Sequence, residues 1–236
     1  MNLIRARIVV LAMVVAGFAV GACAEVGGRL GHQVAPAAES PALTANQIAA
    51  IADFGTAAGP IGLGHPAARH VQDLANEVVS ALNDGSRTDD QRIAYFRKLL
   101  ARDLDIALIA RFAAGASWRS ATEGQRAAYL DAFADFVLQT YAIRLGGIEV
   151  TSVQVIEATS VGKGDFLVHS KVVRTEGDPA TRADWRLTRR DGRFRILDLS
   201  VNGISMALTL RQEFSSVLRR QGGVDGLVAL LRQRTA

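Results

Sequence analysis

The sequence predicts an α+β fold, an antiparallel sheet of about four strands packed against a helical layer. Three observations carry this. Between residues 67 and 145 apolar side chains recur every three to four positions, the spacing of one helix face. After Gly146-Gly147 the period falls to two, through Ile148–Glu157, Phe166–Arg174, Ala180–Arg189 and Arg193–Val201, with Gly-rich turns between them and Asp191-Gly192 as a hairpin turn. After Asn202-Gly203 the helical period returns, so the order is helices, sheet, helices.

The first 24 residues stand apart. Arg5 and Arg7 precede an apolar run from Ile8 to Val20 and then small residues, which is the pattern of a secretory signal peptide over 1–24. Two processing sites fit. Ala22-Cys23-Ala24 meets the small-x-small rule for cleavage after Ala24, while Ala19-Val20-Gly21-Ala22-Cys23 is similar to a bacterial lipobox, in which Cys23 is lipidated and becomes the N-terminus. The export signal implies the periplasm, with membrane anchoring through Cys23 in the second case. Cys23 is the single cysteine, so neither an intrachain disulfide nor a thiolate metal site is expected in the folded part. Losing Arg5 and Arg7 takes the formal net charge from +4 to about +2. That is no footprint for nucleic acid, which is not expected as a partner.

Residues 25–66 shift to Ala, Gly and Pro, with Pro36, Pro41, Pro60 and Pro66, and read as a tether. Inside it Thr44 to Gln47 opens a short amphipathic piece with Ile48, Ile51 and Phe54. The folded domain is expected over 67–236. With 49% hydrophobic and 21% charged residues, the chain is long enough for one core of useful size.

The first helix is expected over Ala67–Asn83, with Val71, Leu74, Val78 and Leu82 in one stripe. A second starts at Thr88, with Gln91 in capping-box position, and buries Ile93, Phe96, Leu99 and Leu100. A third runs from Asp103 to Ala114, with Asp103 and Asp105 placed for the helix macrodipole. The fourth, Ser120–Leu145, is the longest at about 35 Å. Ser120 with Glu123, or Thr122 with Gln125, caps it, and Tyr129, Phe133, Val137 and Tyr141 make one apolar side. Asp131 and Asp135 exclude a membrane span. Helices Ser205–Arg220 and Asp225–Arg234 close the chain.

Catalytic patterns are sparse. Gly203-Ile204-Ser205-Met206-Ala207 nearly matches the nucleophile elbow G-x-S-x-G, but in that class the histidine follows the serine, and the last histidine here is His169. Ser205 reads better as a helix cap. His32, His65, His70 and His169 lack metal-ligand spacing, and Gly162-Lys163-Gly164 is not a phosphate loop. The reading is a non-enzyme with no cofactor.

Four stretches carry a likeness: Phe96 to Ala110; Trp118 to Tyr129; the pair Phe133 and Tyr141; and Asp198 to Met206, followed by Glu213-Phe214 and Gly223 to Leu227. In these the chain resembles the MlaC, or toluene-tolerance, family of periplasmic phospholipid carriers, auxiliary proteins of ABC transport, from about Val71 to Leu231. The tether and lipobox depart from the family's short mature start. The resemblance implies a curved sheet and helices gripping acyl chains in an apolar cleft, with bound phospholipid as cargo. It implies as partners an inner-membrane Mla-type ABC transporter complex and an outer-membrane lipoprotein complex, and as role the maintenance of outer-membrane lipid asymmetry. Extracting a two-chain lipid strands about 30 methylenes, on the order of 24 kcal/mol, which only apolar burial can match. Face periodicity guided by the resemblance nominates Phe112, Tyr129, Phe133, Val137, Tyr141, Val168, Val172, Trp185, Leu187 and Met206 as lipid-binding. Two other readings compete: a tethered envelope scaffold with a filled core, and a serine hydrolase using Ser205.

Overall fold

The computed structural model describes residues 59–147, 150–174, 179–220 and 222–235. The expected signal peptide, Cys23 and the expected amphipathic piece near Thr44 lie outside them. In chain order the elements are β1 (Gly59–Ile61), α1 (Pro66–Leu82), α2 (Asp89–Asp103), α3 (Ile106–Ala114), α4 (Ser117–Ser120), α5 (Glu123–Gly146), β2 (Ser152–Gly162), β3 (Asp165–Val173), β4 (Thr181–Arg190), β5 (Arg193–Val201), β6 (Ile204–Ser205), α6 (Met206–Arg220) and α7 (Gly223–Thr235). This is an α+β fold. Among the described residues no helix is long and apolar enough to cross a membrane.

Local chemistry explains the helix starts. Thr88 with Gln91, and Thr122 with Gln125, form reciprocal capping boxes, each worth about 1 kcal/mol. Of the two caps open to the long helix, Thr122 is the one used, and Ser120 ends the short α4. Pro66 occupies the first turn of α1, where its missing N–H costs nothing, and His65 Nδ1 accepts the Ala67 N–H at 3.1 Å.

Two expectations about helices need correction. Asp103 does not open α3; it closes α2, the wrong end for its charge, and is buried against Arg102 Nε at 2.9 Å. The chain breaks at Leu104, which is extended and bridges to Ile196, so that the Asp105 N–H donates to the Ile196 carbonyl and Asp105 caps α3. Nor does α5 bury one side only. Tyr129, Phe133, Phe136 and Val137 are buried on one side, while Ala142 joins Phe96 and Leu99 of α2 in a different cluster. The helix is sandwiched, packing on α2, α3 and α7.

The sheet is antiparallel throughout, in the order β1-β2-β3-β4-β5-β6. It has two strands more than the alternation shows, because β1 spans three residues and β6 two, too few to display a period. The first lies in the stretch read as tether. β2 also runs on to Gly162, past the expected end at Glu157. The reason is a bulge: Val155 pairs with Ser170 and Glu157 with His169, leaving Ile156 unpaired and 41% exposed. Beyond it the inward set moves from Val153 and Val155 to Ala158 and Ser160. Along the Ser152–Ile156 half of β2, where β1 does not reach, Gln72 of α1 stands in for a neighbouring strand, donating to the Val153 carbonyl and accepting the Val155 N–H, each at 2.9 Å.

Candidate functional site

The helix-facing side of the sheet divides into a covered and an open half. Val155, Ala158, Val168, Leu187 and Ile196 are buried in one cluster with Ala68, Val71 and Leu74 of α1 and Phe96 and Leu99 of α2. Beside and beyond it on the same face the registers align Val153 with Val172, and Trp185, itself paired with Val168, with Leu199; Val201 is next on β5. The small residues among them, Ser170, Ala183 and Thr181, are buried. The five larger side chains are only half-buried. The Trp185 indole is fixed from one end, donating to Ser170 Oγ at 2.9 Å, while Ser170, fully buried, donates to the Ala183 carbonyl. Leu145 near the end of α5 packs, like Trp185, on the margin of the buried cluster. Met206, half-buried, begins α6 just after β6 pairs with Ser200 and Val201.

The ten nominated residues therefore fall into three places. Val172 and Trp185 lie on the open half of the sheet, Met206 follows the strand beside it, and Tyr141 sits one turn before Leu145. Val168 and Leu187 lie on the same face but under α1 and α2, both 0% exposed. Tyr129, Phe133 and Val137 are buried in the helical layer, where Tyr129 donates to the Ala110 carbonyl and Phe133 meets Phe214 edge-on at 6.0 Å. Phe112 is half-buried in that layer under the Arg211 guanidinium. Val153, Leu199 and Val201 were not nominated. Their alternation with polar neighbours was visible, but bulges at Ile156 and Leu197 break the count along both strands.

Polar groups border the half-open region. The Tyr141 hydroxyl is pushed up to about 12 by burial, and charges on Asp198 and Glu213 add to this. Glu213 on α6 is pushed up to about 7 by burial, although Arg234 and Arg144 pull it down. Its unfolded value is near 4.5, so between 4.5 and about 7 the folded chain holds a proton that the unfolded chain has lost. Stability is therefore fully present below that window and falls as pH rises through it. Glu213→Gln should remove the fall, melting above wild type at pH 8 by on the order of 1 kcal/mol after discounting for partial exposure, and matching it at pH 5. Equal melting curves at both pH values would refute this.

Ser205 caps α6 by accepting the Leu208 N–H at 3.1 Å and donates its hydroxyl to Asp198, whose other oxygen accepts the Ala207 N–H at 2.9 Å. Its partner is thus a carboxylate that serves the helix start. His169 is engaged elsewhere, on Asp184 at 2.6 Å. Two grooves of about 580 and 470 Å³ flank Arg193 and Arg195, lined by Asp105 and Arg190 on one side and by His70, Glu77, Arg102 and Asp103 on the other. Charged side chains rim both grooves, and neither groove is lined by Val153, Val172, Trp185, Leu199 or Val201. Among the described residues no group of three or more His, Cys, Asp or Glu is arranged to hold a metal ion.

The sequence model of the MlaC protein family matches residues 72–233. The chain belongs to the MlaC family. That span runs from α1 to α7 and contains every nominated lipid-binding residue. Among solved structures, the phospholipid-binding protein from Ralstonia solanacearum in complex with a phospholipid superposes with a TM-score of 0.61 at 22% identity, over 71% of this chain and 95% of that one. The fold of that protein is thus present nearly entire. Family and neighbour point to a binding or carrier protein.

Proposed function

We propose that this MlaC-family protein binds phospholipid and carries it across the periplasm, where members of the family reside. The observation that carries the reading is the half-covered apolar strip of Val153, Val172, Trp185, Leu199 and Val201, on the helix-facing side of the sheet, in a chain whose family match spans that sheet. In a filled core these side chains would be as buried as Val168 and Leu187 beside them. Acyl chains laid along the strip, between it and the region of Tyr141, Leu145 and Met206, would complete the burial, and the lipid head group would stay near solvent. The solved neighbour, which holds a phospholipid, supports the same cargo class.

The finer reading is exchange of phospholipid with an inner-membrane Mla-type ABC transporter and an outer-membrane lipoprotein complex, maintaining outer-membrane asymmetry. Export by the 1–24 signal, and anchoring at Cys23 if lipidated, would set how far the carrier travels. Native mass spectrometry of protein purified from a bacterial envelope should show an adduct of diacyl-phospholipid mass. A stable, folded protein that is always lipid-free, and takes up none from liposomes, would sink the reading.

A further inference from the structure

We propose that the arginine-rich face built from α3, α4, the start of α5 and α6 docks the protein on an anionic phospholipid bilayer. Several arginines elsewhere on the surface have a carboxylate partner: Arg87 with Asp84, Arg102 with Glu77 and Asp103, Arg182 with Asp184, Arg190 with Asp105. On this face three arginines rest on aromatic rings and have no carboxylate partner among the described residues. The guanidiniums of Arg111 and Arg126 lie 5.3 Å and 5.4 Å from the centre of the Trp118 ring, and that of Arg211 lies 4.8 Å from the centre of Phe112. Arg126 is further fixed by donating to the carbonyls of Trp118 and Arg119. Arg119 is exposed beside them. Among the described residues none of the four has a carboxylate partner, and the nearby acid Asp225 accepts from Gln125.

A ring holds a guanidinium in place without cancelling its charge, and the N–H groups not already donated to carbonyls remain for an oxyanion. Gly115 permits the arrangement. Its φ of +59° suits glycine and turns the chain between α3 and α4. The result is three ring-held positive charges over two half-buried aromatic side chains, Trp118 and Phe112, with exposed Arg119 as a fourth beside them. Aromatic rings beside arginines match the boundary of a bilayer, where phosphate diesters meet the acyl region. The choice of a bilayer over an acidic protein rests on the carrier reading above, since a carrier of phospholipid must approach a membrane.

The test is sedimentation of the full mature chain with vesicles of phosphatidylcholine alone and of phosphatidylcholine mixed with phosphatidylglycerol. Wild type should bind the mixed vesicles, barely bind phosphatidylcholine, and lose affinity as ionic strength rises. Arg119→Gln with Arg211→Gln should weaken binding roughly fivefold per charge, on the order of 25-fold together. Lys98→Gln with Lys171→Gln, exposed cations on α2 and β3, should change it less than about twofold. Thermal melts of both pairs confirm folding. Wild type that ignores the mixed vesicles, or an arginine pair that binds them as wild type does, overturns the proposal. Native mass spectra separate this from the cargo reading: arginine variants should keep any bound lipid. Vesicle binding by a protein that never carries lipid would refute the carrier and leave the docking face standing.

Discussion

Val168→Trp is expected to cost about 3 kcal/mol, whereas Val172→Trp, two pairs farther along the same strand face, should leave the fold nearly unchanged and displace bound phospholipid. The difference lies in what covers each side chain. Val168 is 0% exposed and sits in the cluster with Leu187, Ile196 and the α1 and α2 residues, so an indole there must push packed atoms apart. Val172 pairs with Val153 on the half-buried end, where added bulk enters space proposed for acyl chains. In a chain of this size 3 kcal/mol lowers the melting temperature by roughly 6 to 12 °C. Thermal unfolding of delipidated protein, paired with native mass spectra of the same variants, reads both effects, because loss of a ligand alone lowers apparent stability. A Val172→Trp protein as unstable as Val168→Trp, with its lipid retained, would make the open half of the sheet ordinary core.

Periodicity places Val168 and Val172 on one face and cannot separate them. That limit runs through the whole reading. The capping boxes at Thr88 and Thr122 and the two-residue alternation are local chemistry, and they fixed the helix starts and four of the strands within a few residues. What escaped were features set by distant partners. The break at Leu104 depends on a bridge to Ile196, β1 depends on β2, and the phase change at Ile156 depends on how β3 pairs. The site list shows the same division. Tyr129, Phe133 and Val137 share a stripe with Tyr141, but the first three are buried, Tyr129 against α3 and Phe133 against α6, and only the packing of helices distant in sequence tells them apart. The arginine face is the converse case. Its residues were legible one at a time, while their stacking on Trp118 and Phe112 needs α3, α4, α5 and α6 brought together.

Phe214→Ala should be the more damaging truncation, at about 3 to 5 kcal/mol. Phe214 is 2% exposed, meets Phe133 edge-on at 6.0 Å and lies 6.3 Å from Phe136, so its ring holds α6 to the middle of α5. Removing it leaves a void that the surrounding helices cannot fill without breaking both aromatic contacts. The melting temperature should fall by roughly 10 °C or more. Phospholipid then distinguishes scaffold from site. If the helical layer only supports the fold, added lipid should raise the melting temperature of Phe214→Ala by the same increment as wild type, because the ligand term depends only on concentration and affinity. A larger rescue in the variant would mean that an acyl chain enters the void. Tyr129, Phe133 and Val137 would then return to the lipid-facing surface, and the cleft would extend from the sheet into the helical layer.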